Sequence, residues 1–275
     1  MIEESIKRLQ EIARTNRSRA LGKPGTGLIL GSGLGGIADD VREACTIPYN
    51  QIPHFVHPTI EGHAGEMVLG KMEGKEVCVM KGRAHFYEGY TMKEITYPVR
   101  VMAGLGIENL IITGAAGGIN ENFEPGDLVV ITDHINLMGD NPLIGDRTQA
   151  QSITFTNMEN VYDRNLIRLV LNCAKSRKIK LQKGVYISVT GPSYETSAEI
   201  EMARRIGGDL VGMSVVPESI VGKQLGLKIL GICCVTNMAG GAGKKPISHQ
   251  SALRVAERAM SKLSRLLKEV VKRIQ

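Results

Sequence analysis

The chain has 275 residues, with 34 Lys and Arg against 28 Asp and Glu, a formal charge of +6, and 43% hydrophobic and 23% charged residues. This is ordinary globular composition, and it excludes disordered, collagenous and disulfide-scaffold classes. A chain of this length can bury a full core as one domain over 1–275, without a metal or disulfide staple.

At the N-terminus Glu3 and Glu4 are followed by Ile6, Leu9 and Ile12, a helix pattern and not a signal peptide. Short β-branched or apolar runs predict strands at 27–30, 77–80, 109–113, 128–132, 185–190, 209–213 and 228–235. Helical patterns lie between several of them, at 92–105, 161–177, 197–206 and 217–225. A last helix repeats Leu253, Ala256, Met260, Leu263, Leu267, Val270 and Ile274, with Lys262, Arg265, Lys268 and Lys272 on its solvated face. Strands alternating with helices predict an α/β fold, a central mixed or parallel sheet flanked by helices. The polar, aperiodic stretch 140–159 is expected to be a functional or interface loop.

The five cysteines (Cys45, Cys78, Cys173, Cys233, Cys234) are odd in number and lack CxxC spacing, so they predict core thiols in a reducing compartment. No run approaches the roughly 20 apolar residues of a membrane span. A cytoplasmic protein without membrane contact is expected. The positive charge is dispersed, and with no Trp and four Phe the chain is poor in base-stacking platforms, which argues against nucleic acid.

The strand ends carry the chemistry. They read Gly31-Ser32-Gly33, Lys81-Gly82-Arg83-Ala84-His85, Gly114-Ala115-Ala116-Gly117-Gly118, Gly191-Pro192-Ser193-Tyr194-Glu195, Gly212-Met213-Ser214 and Asn237-Met238-Ala239-Gly240-Gly241. Ligands of open α/β sheets bind beyond the carboxyl ends of strands, so six such ends predict one shared pocket. Gly31-Ser32-Gly33-Leu34-Gly35-Gly36 satisfies GxGxxG after a strand, but no acidic residue follows at the distance where a dinucleotide's ribose needs one. The same loop can cradle a phosphate with backbone N–H groups and the Ser32 hydroxyl. Arg83 and His85 suit a tetrahedral oxyanion, although in isolation the pair also fits a surface salt bridge. His54, His57 and His63 lack the pattern of a metal site, and Gly243-Lys244 lacks the Ser or Thr of a P-loop. Thr196 and Glu199 fit a capping box, Glu195 a helix-start carboxylate or a ligand acceptor, and Asn237 a turn or a ligand contact.

Taken in order, Gly31-Ser32-Gly33-Leu34-Gly35, Gly62-His63-Ala64-Gly65, Gly82-Arg83-Ala84-His85-Phe86-Tyr87-Glu88-Gly89-Tyr90, Gly114-Ala115-Ala116-Gly117-Gly118, Asp133-His134-Ile135-Asn136-Leu137, Gly191-Pro192-Ser193-Tyr194-Glu195-Thr196, Val211-Gly212-Met213-Ser214-Val215-Val216-Pro217-Glu218 and Thr236-Asn237 resemble the purine nucleoside phosphorylases of the low-molecular-mass, trimeric type. The resemblance implies phosphorolysis of purine nucleosides to free base and pentose 1-phosphate in purine salvage, by a homotrimer with no cofactor and with phosphate as co-substrate. It further implies that Ser32, His63, Arg83, His85, Ala115 and Ser214 bind phosphate. Tyr87, Met213 and His249 would line the ribose, and Tyr194, Glu195, Val211 and Asn237 the purine, with Asn237, Glu195 and His85 taking part in catalysis. Gly114 stands where members of the family often carry a polar residue, and Phe155 is the candidate for reaching a neighbouring subunit. The rival readings are a methylthioadenosine phosphorylase of the same fold, expected to carry aspartate in place of Asn237, and a basic nucleotide- or nucleic-acid-binding module.

Overall fold

The computed structural model describes residues 1–15, 22–146, 153, 155–240 and 248–274. Within them lie nine strands: β1 (Thr26–Leu30), β2 (Arg42–Pro48), β3 (Glu66–Met72), β4 (Lys75–Lys81), β5 (Asn109–Gly118), β6 (Leu128–Asn136), β7 (Leu181–Ser188), β8 (Leu210–Gly212) and β9 (Lys228–Met238). They join in the order β2-β3-β4-β1-β5-β8-β7-β6-β9, and β9 pairs again with β5. The sheet thus closes on itself through β5, β8, β7, β6 and β9, and extends as an open wing through β1, β4, β3 and β2. The contacts of β1 with β4 and β5, and of β5 with β9, are parallel, so the carboxyl ends of β1, β4, β5 and β9 face the same way.

The described helices are α1 (Ile2–Thr15), α2 (Met92–Gly104), α3 (Arg164–Ser176), α4 (Ser197–Arg205), α5 (Val216–Gln224) and α6 (His249–Arg273). None is long and apolar enough to cross a membrane. Strand β1 is buried on both faces because successive side chains point to opposite sides. Leu28 and Leu30 pack with Val170 of α3 and Leu263, Leu267 and Val270 of α6, while Ile29 packs with Val101 and Met102 of α2 and Val221 of α5. Two helical layers are thereby fixed to the strand that ends in Gly31 and Ser32. All five cysteines are buried free thiols, as expected of core residues.

Boundaries differ from the sequence pattern for identifiable reasons. Helix α3 begins at Arg164 rather than 161, because the Asp163 carboxylate accepts the N–H groups of Asn165 and Leu166 at 2.8 and 2.9 Å, while Tyr162 is bridged to Ile229. The expected capping box opens α4: Thr196 N–H donates to Glu199 at 2.7 Å and Glu199 N–H to the Thr196 hydroxyl at 3.2 Å. Strands β2 and β3 escape the apolar pattern because β2 forms the sheet edge and β3 mixes Glu66 and Lys71 with its buried residues. The β3–β4 hairpin turns through Glu73 and Gly74, at φ of 52° and 80°, without the Asn-Gly or Asp-Gly that would have announced it. Two lysines of α6 expected in solvent are engaged instead. Lys262 donates to the Gly126 carbonyl at 2.7 Å, and Lys268 pairs with Asp40.

Where β1 stops and β5 runs on, Thr113 replaces the ladder. Its hydroxyl accepts the Gly31 N–H and donates to the Ile29 carbonyl, both at 3.1 Å, in a fully buried position. Thr113→Val keeps the shape and strands a buried donor and a buried acceptor, so it should lower unfolding free energy by about 1–3 kcal/mol in urea titrations. An unchanged midpoint would show that this bridge does not hold the β1 end.

Candidate active site

A solvent-open cleft lies over these strand ends, the place where open α/β sheets bind their ligands. Twelve of the thirteen residues singled out from the sequence line it: Ser32, Arg83, His85, Tyr87, Ala115, Tyr194, Glu195, Val211, Met213, Ser214, Asn237 and His249. The thirteenth, His63, stands behind Ser32 with its Nε2 2.7 Å from the hydroxyl oxygen. Other readings fall elsewhere. His54 pairs with Glu4 and His57 with the Pro58 carbonyl, and among the described residues no group of three or more His, Cys, Asp or Glu is placed to hold a metal ion. Phe155 is 95% exposed and is not part of its own chain's cleft. Gly243 and Lys244 lie outside the described residues.

Arg83 is the most constrained group. It follows β4 across Gly82, whose φ of 99° suits glycine and where a Cβ would come within 2.8 Å of His63. The side chain is not the surface salt bridge that the pair with His85 allowed in isolation: it is 2% exposed. Its Nη1 donates to Glu218 at 2.8 Å and its Nη2 to the Thr113 carbonyl at 2.5 Å. A Cβ on Gly31 would come within 2.8 Å of the Gly114 Cα, 2.9 Å of the Thr113 carbonyl and 3.2 Å of Nη2, so this glycine clears the slot in which the guanidinium lies. Arg83 Nε and Glu218 Oε2 are buried without a partner. Two buried charges lose several kcal/mol of hydration each, so such a pair is poor evidence for stability and better evidence for a task.

The histidines are tied into the same turn. The Arg83 N–H donates to His63 Nδ1 at 3.0 Å, which leaves the ring proton on Nε2 to donate to Ser32, and the Ser32 hydroxyl proton free for a ligand. His85 Nδ1 lies 3.0 Å from the Glu88 carboxylate, which also accepts the His85 N–H at 2.7 Å and the Thr59 N–H at 2.6 Å. Burial lowers the pKa of His63 to about 2 and lowers that of His85. Burial acts to raise Glu88, but the hydrogen bonds from His85 and Thr59 outweigh it and bring the carboxyl down to about 2. At neutral pH this gives neutral imidazoles beside an ionised Glu88, with His85 Nε2 left as an acceptor. Tyr87 stacks on the His85 ring, centroids 4.8 Å apart. Glu88 was not singled out from the sequence, although its place three residues after His85 in a one-turn helix is the signal that could have found it.

Ser214 is set by strain. Val215 has φ 71° and ψ −50°, and the Val216 N–H bonds the Ser214 carbonyl at 2.8 Å, a γ-turn on a fully buried β-branched residue. Such a conformation costs about 1–3 kcal/mol and persists where the surroundings enforce it. Tyr186 helps enforce it: its hydroxyl accepts the Ser214 N–H at 3.4 Å and lies 2.2 Å from where a Cβ on Gly212 would be.

The opposite end of the cleft is uncharged apart from Glu195, whose half-buried carboxyl has its pKa raised chiefly by burial. Thr236 donates to Asn237 Oδ1 at 3.0 Å, which leaves the Asn237 amide N–H groups for other contacts. Thr236 lines the cleft and was not singled out as a site residue. His249 opens α6, and its Nε2 donates to the Glu61 carbonyl at 3.0 Å, which leaves Nδ1 for other contacts.

The neutral histidines have a thermodynamic signature. Below the unfolded value of 6.5 the unfolded chain binds protons that buried His63 and His85 refuse, so stability falls as pH falls. The loss approaches about 1.4 kcal/mol per pH unit for each histidine. Urea unfolding at pH 7.5, 6.5 and 5.5 should show this decline, and His63→Gln should make it shallower. Stability that is level or rising toward pH 5.5 would contradict buried neutral imidazoles.

Comparison with known proteins agrees with the geometry. The family model described as the phosphorylase superfamily matches residues 26–272. Purine nucleoside phosphorylase 1 of Geobacillus stearothermophilus is 47% identical over 264 residues, covering 96% of each chain, and that of Bacillus subtilis (strain 168) is 50% identical over 248 residues, covering 90% of this chain and 92% of the relative. The structure of isoform 2 of purine nucleoside phosphorylase from Schistosoma mansoni, in complex with cytosine and ribose-1-phosphate, superposes with a TM-score of 0.91 at 36% identity, over 100% of this chain and 96% of that one. A Schistosoma mansoni purine nucleoside phosphorylase in complex with inosine gives a TM-score of 0.88 at 32% identity, over 98% and 97%. With its strand-end cleft and these relatives, the chain belongs to the phosphorylase superfamily, among the purine nucleoside phosphorylases.

Proposed function

We propose that the chain, acting as one domain over 1–275, catalyses the reversible phosphorolysis of 6-oxopurine ribo- and deoxyribonucleosides such as inosine and guanosine, releasing the base and pentose 1-phosphate in cytoplasmic purine salvage. The observation that carries this reading is the two-ended cleft. One end holds Arg83, Ser32, Ser214 and the start of the Gly-Ala-Ala-Gly-Gly segment, and the other holds Glu195 and Asn237. An inorganic phosphate suits the first end. It would accept from the Arg83 guanidinium, the Ser32 and Ser214 hydroxyls and the Ala115 N–H, with His63 acting through Ser32 and the neutral His85 accepting a phosphate proton. Tyr87, Met213 and His249 would enclose the ribose between the two ends, and Tyr194 and Val211 would pack about the purine.

Breaking the glycosidic bond builds positive charge on the sugar and negative charge on the departing base. Phosphate beneath the ring stabilises the cation and then captures it at C1′. Asn237 donates toward the purine as its electron density rises, a contact stronger in the transition state than before it. Glu195 accepts N1–H of hypoxanthine or guanine. Adenine presents an acceptor at N1 and an amino donor at C6, so it mispairs with both groups. A methylthioadenosine phosphorylase is disfavoured because the amide Asn237 occupies the position where that rival is expected to carry aspartate. No cofactor enters the scheme.

Base release from inosine should depend strictly on orthophosphate. Asn237→Ala should lower kcat/KM by about 10²-fold or more, and Glu195→Ala should lower it for inosine while eroding a preference over adenosine on the order of 10⁴-fold. Release without phosphate, or equal use of inosine and adenosine by the parent chain, would overturn the assignment. We also propose a homotrimer, supported by the exposed Leu137, Ile144, Ile153 and Phe155. Light scattering should give three times the 29.8 kDa chain mass, and a fully active monomer would contradict it.

A further inference from the structure

The turn that follows β8 touches the phosphate end of the cleft twice. It presents Ser214, and four residues later Glu218, in the first turn of α5, reaches back to a residue 135 positions earlier. Glu218 does not cap its own helix, since no side-chain bond closes the α5 N-terminus at Val215. Its side chain is 5% exposed and its only hydrogen bond among the described residues is to Arg83 Nη1 at 2.8 Å. The second oxygen, Oε2, is buried without a partner, as is Arg83 Nε. An acidic group at a helix start is usually explained by capping, which does not apply to Glu218.

We propose that Glu218 is a positioning residue for phosphate: its carboxylate locks the Arg83 guanidinium against the Thr113 carbonyl, so that the remaining N–H groups are aimed at an oxyanion before it arrives. This rests on the phosphorolysis reading only for the identity of the oxyanion. The two anchors share one rigid segment. The γ-turn at Val215 fixes Ser214, and the helix it starts fixes Glu218, so the hydroxyl and the guanidinium are held in register from one short piece of chain. A planar guanidinium gripped at Nη1 and Nη2 has no rotation left about its last bonds, and phosphate binding then meets a preorganised donor. Geometry, and not merely a balancing negative charge, is the property that Glu218 supplies.

Two substitutions separate geometry from charge. Glu218→Asp keeps the charge and withdraws the carboxylate by one methylene, and Glu218→Gln keeps the length and the acceptor oxygen and removes the charge. Titration calorimetry with inorganic phosphate is the direct readout, and steady-state phosphorolysis of inosine is the second. Glu218→Asp should weaken phosphate binding about tenfold or more, and Glu218→Gln by about threefold, with the KM for inosine within about twofold of the parent in both. The inference is overturned if Glu218→Asp binds phosphate as the parent does, if Glu218→Gln is the worse of the two, or if the KM values for phosphate and inosine rise together. Should Glu218→Asp not fold, Glu218→Ala takes its place, since it too removes the grip on Arg83: phosphate affinity equal to the parent's contradicts the role. A parent chain that binds phosphate yet releases no base would remove the phosphorolysis reading and leave this inference standing on the calorimetry.

Discussion

A guanidinium held out of water beneath the ends of β1 and β5 is the constraint around which the cleft is arranged. Arg83 is clamped by Glu218 on one side and by the Thr113 carbonyl on another. Gly31 leaves it room, and Gly82 allows the chain to turn into position. Thr113 holds the end of β1 with its hydroxyl while its carbonyl holds the arginine, so strand pairing and charge placement meet in one residue. Burying such a pair opposes folding by the hydration it loses, and the two apolar layers on either face of β1 supply the compensation.

From that clamp the electrostatics of the cleft follow. Because burial keeps His63 and His85 neutral, the cationic charge at this end of the cleft comes from Arg83, itself already paired. The proposed phosphate would therefore be held by directed N–H and O–H groups more than by net charge. The opposite end carries an amide and a half-buried carboxylate, so a nucleoside lying between them would meet an acceptor-binding face below its sugar and a base-reading face beyond it. In the proposed reaction these are the two places where charge develops.

Much of this was legible in the chain itself, and for definite reasons. Small residues after apolar strands mark places where backbone must approach a ligand, and those six strand ends do converge on one cleft. The helical repeat ending in Leu267, Val270 and Ile274 located α6 because one face of it is core. What escaped was non-local. The edge strand β2 and its neighbour β3 lack a strong apolar pattern, and the Glu73-Gly74 turn has an unusual first residue for φ above zero. Glu88 and Glu218 stand only within motif blocks in the sequence, and packing alone shows that one holds His85 and the other Arg83. The strain at Val215 has no sequence signature, since valine is the type least expected there.

The most direct measurement of the central claim is a crystal structure of the chain grown with inorganic phosphate and hypoxanthine. The account predicts the phosphate within hydrogen-bond distance of the Arg83 guanidinium, Ser32, Ser214 and the Ala115 N–H, with Arg83 still bonded to Glu218 and the base against Glu195 and Asn237. A cleft in which phosphate lies away from Arg83, or in which Arg83 has left Glu218 to reach it, would contradict the claim that a preset buried guanidinium organises the site.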